Sequence, residues 1–225
     1  QNSSVMMDTF IIFLLVCIFL YSLCGGKIPW QRANNKLLYI SLVWMIYVFF
    51  ELFNPSAVIE AWVYTRNSFY NFTLLVLLTS LLLSRVLDIK RILFLLSIFT
   101  LIAIAKALIQ RYIGFDAGEN AWLIRSESYK THLLPSGIRY FSIFSDAGNF
   151  GSNMGMAAVV FMILSFYMSN KKLRYYYRFV SLLAAYGLIM SGTRGAMIVP
   201  LGGLAMFILL NKNVRYIVGG AICLL

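Results

Sequence analysis

The hydrophobic positions of this chain form long continuous runs, which short polar or basic segments separate. A helix needs roughly 20 apolar residues to cross the hydrocarbon core of a membrane, whereas a barrel strand needs about 10 residues of alternating polarity. The runs are continuous and close to the helical length, so the pattern predicts membrane helices. They cover residues 9–23, 37–53, 69–83, 92–109, 150–168, 179–190 and 197–210, and a further run begins near Tyr216. We therefore predict an all-α fold, a polytopic transmembrane helical bundle of about eight spans with the last one truncated at Leu225.

The composition supports a membrane chain. Hydrophobic residues make up 61% of it and charged residues 12%, and the mean hydropathy is +0.81, whereas about a quarter of a soluble domain is charged. One histidine and three cysteines without metal-ligand spacing predict no metal site and no cofactor. Because the chain starts without methionine and stops inside an apolar run, we expect residues 1–225 to be a single transmembrane domain and a piece of a longer protein.

The net charge of +11 is distributed in short clusters between the apolar runs. One set of alternate loops carries twelve Lys and Arg residues and the other carries six. The positive-inside rule places the richer set in the cytoplasm and explains the charge without nucleic acid as a partner. The polar stretch 110–148 is then an external loop, on the same side of the membrane as Arg194.

Arg194 interrupts two apolar runs within the sequence Ser-Gly-Thr-Arg-Gly-Ala at residues 191–196. A guanidinium stays charged at working pH, and its burial near lipid costs several kcal/mol, so a membrane chain carries one there when an anion has to be held. Gly192 and Gly195 would let the backbone approach that anion and turn sharply. The alternative is a polar turn whose arginine contacts headgroup phosphate.

A second arginine, Arg139, precedes the predicted helix at residues 150–168. Asp146 is placed to cap that helix, but Arg139 has no capping role. Two external arginines would form a site for a diphosphate, because the planar fork of each binds phosphate oxygens through two parallel hydrogen bonds. Contact with a lipid headgroup is again the alternative.

The two motifs together resemble the O-antigen ligase/polymerase superfamily of bacterial envelopes. The first consists of Arg139, a short aromatic stretch with Phe and Ser, and Asp-Ala-Gly-Asn-Phe-Gly at residues 146–151; the second is Ser-Gly-Thr-Arg-Gly-Ala. They occur in the family's order with a basic segment between them, and the family-like core covers residues 137–210. Ala147-Gly148 departs from the proline that many members carry.

The resemblance implies a multi-pass membrane glycosyltransferase of the bacterial inner (plasma) membrane, active at its external or periplasmic face. Its donor would be a glycan on undecaprenyl pyrophosphate, and its acceptor a sugar or a lipid A-core. Arg139 and Arg194 would bind the donor's pyrophosphate, with Gly192 and Gly195 as backbone support. Clamping the pyrophosphate positions the sugar and stabilises charge on the leaving group without a metal.

The catalytic base is not identified by this resemblance. Ligases of the family use a histidine in a large external loop near the C-terminus, which we expect beyond residue 225. His132, the one histidine here, is a candidate base by its ordinary pKa, and the alternative is a solvated loop histidine. Ligase and polymerase are therefore not distinguished.

Two other functional classes stay open at this stage. A transporter or flippase for an anionic lipid or solute would also use broken helices and an ion site, but it should show matching breaks in two repeats. A non-catalytic membrane scaffold, in contact with membrane lipids, would use Arg194 only for headgroups.

Overall fold

The structure is a computed structural model that describes residues 2–54, 56, 58, 70–83, 85–135 and 137–211. The predicted run beginning near Tyr216 lies outside the described residues. The chain is mostly helical, and its α-helices are α1 (Asn2–Leu23), α2 (Lys36–Phe50), α3 (Phe72–Leu82), α4 (Val86–Tyr112), α5 (Ala117–Arg125), α6 (Tyr129–His132), α7 (Ala147–Tyr167), α8 (Lys171–Met190) and α9 (Ile198–Asn211). Short 3-10 helices cover Trp30–Ala33, Glu51–Phe53 and Arg194–Met197.

Two of the described helices are long and apolar enough to cross a membrane. They are α4 with 27 residues and α7 with 21, which at about 1.5 Å per residue reach or exceed the roughly 30 Å hydrocarbon core. Most of the other predicted runs are helical but shorter, between 10 and 17 residues. Among the described residues, the structure thus shows two helices that are both long and apolar enough to span a membrane, and not about eight.

Two basic segments that we predicted as loops are helical. Residues 171–178 form the first turns of α8, where the Asn170 side chain accepts a hydrogen bond from Lys172 N at 2.9 Å and Tyr177 is buried. The cluster around Lys90 belongs to the first turns of α4. The hydropathy pattern missed both because a helix can begin in a charged segment when a cap and a buried stripe support it.

The described contacts divide the chain into two compact units, Gln1–Lys90 and Arg91–Leu225. Nothing in this division tests the prediction of a single domain, which stays a prediction. In the first unit, α3 packs against both α1 and α2. The side chain of Thr73 on α3 donates to Ser41 O on α2 at 3.1 Å, and Val76 and Leu78 are buried on the same helix.

The core of the second unit lies between α4, α7 and α8. Phe150, Val180 and Ala184 are completely buried there. The small residues Gly151 and Gly155 of α7 face the segment after α8, because a Cβ at Gly155 would lie 2.8 Å from Pro200 Cδ. This Gly-x-x-x-Gly pattern therefore allows close packing, as such patterns do between membrane helices.

The polar stretch 110–148, predicted as a loop, is largely folded. It contains α5, α6 and a two-stranded antiparallel pair, β1 (Leu133–Leu134) and β2 (Gly137–Ile138), in which Leu133 lies opposite Ile138. Asp116 and Glu119 form a capping box that starts α5, with Glu119 N donating to Asp116 Oδ1 at 2.8 Å. In the part of the chain that the structure describes, this small pair of strands is the exception to the predicted all-α fold.

Candidate functional site

Both predicted arginines line one open pocket of about 830 Å³ in the second unit. Arg139 extends from the end of β2, and Arg194 begins the 3-10 helix that follows α8. The remaining walls come from the first turns of α7, including Ser152, and from residues 192–196. The structure therefore brings Arg139 together with Gly192, Arg194 and Gly195, a segment that comes much later in the sequence. Their role as phosphate ligands stays a prediction.

The segment that carries Arg139 is held by backbone contacts on both sides. Arg139 N donates to His132 O at 2.8 Å, which continues the pairing of β1 and β2. Tyr140 N donates to Met190 O at 3.4 Å, which ties the segment to the last turn of α8. Arg139 is therefore fixed between the strand pair and the helix that leads into the second motif.

A buried glutamine supports the same segment from α4. Gln110, 2% exposed, accepts a hydrogen bond from Ser142 N at 2.8 Å and donates one to Ser142 O at 3.1 Å. Ser142 has a φ of +55°, which is costly for a residue other than glycine. The two bonds from Gln110, and one from Ser142 Oγ to Ala103 O at 2.5 Å, hold this conformation.

Gln110 is itself held by a group of charged side chains. Gln110 Nε2 donates to Glu119 Oε1 at 2.7 Å, and Lys106 Nζ lies 2.9 Å from the same oxygen and 2.8 Å from Asp116 Oδ2. The hydrogen bond from Lys106, followed by the one from Glu119 N, lowers the pKa of the Asp116 carboxyl. Both carboxylates therefore have structural roles: together they cap the start of α5, and Glu119 also accepts a hydrogen bond from Gln110.

The turn that carries Arg194 is held against α7. Ser191 is fully buried, and its hydroxyl donates to Leu188 O at 2.7 Å and lies 2.6 Å from Thr193 Oγ1. Thr193 Oγ1 also lies 3.3 Å from Ala147 O in the first turn of α7. A Cβ at Gly151 would lie 2.6 Å from Thr193 Oγ1, so this glycine is needed for the turn to fit.

The two glycines beside Arg194 have different roles. Gly192 has a φ of +60° and ends α8 by donating to Ile189 O at 3.1 Å, which glycine does at low cost. A Cβ on it would also lie 3.1 Å from Arg139 Cγ. A Cβ on Gly195 would meet nothing within 4 Å, so packing in the described structure does not demand glycine there.

The charge balance leaves the two arginines available for an anion. Residues 91–225 contain four carboxylates, and each has another role. Asp116 and Glu119 pair with Lys106, Glu127 pairs with Lys130, and Asp146 caps α7, as predicted, by accepting from Asn149 N at 2.8 Å. Among the residues that the structure describes, neither the Arg139 nor the Arg194 guanidinium has an ion-pair or hydrogen-bond partner.

His132 is not the solvated loop histidine that we weighed against a catalytic base. It is 3% exposed and packs on Phe141, with ring centroids 4.9 Å apart, and on Trp122 at 5.9 Å. Its Nδ1 lies 3.3 Å from Arg139 O. His132 does not belong to the pocket wall as described, and its contacts give it a structural role beneath Arg139.

Sequence reasoning missed Gln110, Ser142 and Thr193 as parts of the site. Gln110 followed an apolar run and was taken as the first residue of a loop, whereas it forms part of the last turns of α4. The signal that was present is a neutral amide at a helical spacing from Ala103 and Ala107, which places it on the buried stripe of that helix.

No family model matches the chain, and no curated protein or solved structure is significantly similar to it. The described residues contain no group of three His, Cys, Asp or Glu side chains placed to hold a metal ion.

Proposed function

We propose that the chain is part of a membrane glycosyltransferase of the O-antigen ligase/polymerase type, which uses glycans on undecaprenyl pyrophosphate at the outer face of the bacterial plasma membrane. The observation that carries the proposal is the pair of arginines without carboxylate partners on the walls of one pocket. The order of the two motifs in the sequence supports the same class. Two helices of spanning length support a membrane location, and the proposal includes the further spans that the hydropathy pattern predicts.

In the proposed reaction, a hydroxyl of the acceptor, a sugar or a lipid A-core, attacks the anomeric carbon of the donor glycan. A new glycosidic bond forms while the bond from that carbon to the pyrophosphate oxygen breaks, and the electron pair leaves with the pyrophosphate. The hydroxyl proton passes to a base that the described residues do not identify. Arg139 and Arg194 bind the pyrophosphate and stabilise the charge that develops on it.

The pocket offers more than charge to such a group. The open space at Gly195 leaves the backbone accessible beside Arg194, and Ser152, near the start of α7, also lines the pocket. Its volume of about 830 Å³ lies within the range of ligand pockets. The polyprenyl tail would lie along the exposed apolar side chains of neighbouring helices.

The test replaces Arg194 by Lys in the full-length gene of the source bacterium. We expect loss of most surface polysaccharide and accumulation of the lipid-linked glycan. Lysine keeps the positive charge but cannot form the bidentate hydrogen bonds that arginine makes to phosphate. Arg125→Lys is the matched control, since Arg125 is an exposed arginine in the last turn of α5 and outside the pocket wall. Normal polysaccharide in Arg194→Lys would contradict the pyrophosphate clamp and favour a scaffold, and loss of transport without loss of transfer would favour a transporter.

A further inference from the structure

A second cavity, of about 400 Å³, lies in the first unit and is lined almost entirely by apolar side chains. Leu14, Cys17, Ile18 and Tyr21 form one wall. Their spacing of three, four and seven residues places them on a single stripe of α1. The stripe is about 10 Å long at 1.5 Å per residue, and we call the cavity beside it the slot. Leu81 and Leu82, at the end of α3, also line it.

One cation stands at the end of this slot. Lys27 lines the cavity just beyond the C-terminus of α1, and of the described residues in the lining it is the one that is charged. Among the described residues Lys27 has no ion-pair or hydrogen-bond partner. Trp30 follows it and is 58% exposed, in the way that aromatic side chains mark the membrane–water interface. The slot is thus apolar along its length and positive at the end that carries the interfacial residue.

Backbone N–H groups in the turn after α1 satisfy carbonyls at the end of that helix. Gly25 N donates to Ser22 O at 3.1 Å and Gly26 N donates to Tyr21 O at 2.9 Å. Gly25 has a φ of +85°, so the turn is a Schellman motif that satisfies two terminal carbonyls. Any Cβ at Gly26 would collide with the Tyr21 ring, so this glycine lets the ring lie flat along the cavity wall.

We propose that this slot binds one anionic phospholipid, with an acyl chain between α1 and α3 and the phosphate at Lys27. An apolar slot alone would take any lipid, and the charge at its end selects for the negative headgroup. Basic pockets beside membrane helices bind anionic headgroups for this reason. The proposal concerns the first unit alone and does not depend on glycosyl transfer.

The test is native mass spectrometry of the purified full chain in detergent, with phosphatidylglycerol or phosphatidylcholine added. We expect one retained phosphatidylglycerol, favoured about five-fold over phosphatidylcholine, which is what a single basic side chain near an anionic headgroup contributes. Lys27→Gln should remove the preference and keep weak binding of both lipids. Lys36→Gln is the control, because Lys36 is an exposed lysine at the start of α2 and outside the lining.

A second pair of variants tests the slot itself. Cys17→Phe should fill the cavity and abolish the retained lipid, whereas Cys24→Phe should not, because both cysteines are exposed and free but only Cys17 lines the slot. Equal retention of the two lipids by the wild type, or a preference that survives Lys27→Gln, would overturn the proposal. Equal loss of binding in Cys17→Phe and Cys24→Phe would overturn it as well.

Discussion

Arg139 and Arg194 face the same pocket, but they are supported in different ways. Arg139 lies on an irregular segment that depends on hydrogen bonds with Gln110, with His132 O and with Met190 O. Arg194 lies on a tight turn that depends on close packing of small residues against α7. We therefore expect the Arg139 segment to be more sensitive to the loss of hydrogen-bond partners, and the Arg194 turn to be more sensitive to added side-chain volume.

The largest effect is expected when the arginines themselves are removed. Arg139→Ala and Arg194→Ala should each reduce glycan transfer by about 10- to 150-fold, because each loses charge-assisted hydrogen bonds worth roughly 1.5–3 kcal/mol. If both bind one pyrophosphate, the double variant should lose less than the product of the two single losses. Transfer assays on the four proteins of this cycle measure the coupling, and strictly multiplicative losses would show that the two side chains act on separate groups.

Removal of the amide at Gln110 should weaken the Arg139 segment. Gln110→Ala leaves the buried N–H and C=O of Ser142 without their partner, which costs about 1–3 kcal/mol of folding free energy. Thermal unfolding in detergent should show the loss, while Gln31→Ala, an exposed glutamine in the first unit, should leave the midpoint unchanged. A midpoint equal to that of the wild type would mean that Gln110 does not hold this segment.

Added volume should weaken the Arg194 turn. Gly151→Ala places a methyl group against Ser191, Thr193 and Ala196, and overpacking of this kind costs about 1–3 kcal/mol. Gly202→Ala is the control, because a Cβ at this helical glycine would meet nothing within 4 Å. The comparison fails if thermal unfolding shows that the two substitutions are tolerated equally.

Gly192 connects the Arg139 segment and the Arg194 turn. Gly192→Ala forces a left-handed alanine, at about 1–2 kcal/mol, and also presses on the stem of Arg139. Gly25→Ala is the control, because it places an alanine at a positive φ where its Cβ would meet nothing within 4 Å. It should reduce stability without affecting the donor site. Only Gly192→Ala should also weaken binding of a pyrophosphate-containing donor, measured by titration. Unchanged donor affinity would show that the Arg139 stem does not depend on Gly192.

The smallest effect is expected from acid pH and should act through the network behind Gln110. The pKa of Asp116 is lowered in the folded protein by its hydrogen bonds with Lys106 and Glu119 N. Its contribution to stability is therefore present above the unfolded pKa and is lost as the pH falls through the folded one. In Asp116→Asn, the thermal unfolding midpoint should therefore fall less steeply towards acid pH than in the wild type. The same decrease in both proteins would argue against this linkage.

The sequence predicted the helical segments, and two arginines that line one pocket, better than it predicted the contacts that support that pocket. Continuous apolar runs located α4 and α7, and the cap at Asp146 was readable from its position before an apolar run. The helical start of α8 was missed because hydropathy averages over Lys171 and Arg174, and a cap depends on the single residue Asn170. Gln110 and Ser142 were missed because their pairing spans 32 positions, which no local pattern encodes.

The bond from Tyr140 N to Met190 O has a consequence for biogenesis. A ribosome synthesises Arg139 before it has made the end of α8. During this interval Arg139 lacks Arg194 and part of its anchorage. If the two arginines bind a pyrophosphate as proposed, their site can form only after α7 and α8 have been made, so a nascent chain stalled before residue 190 should be unable to retain the proposed donor.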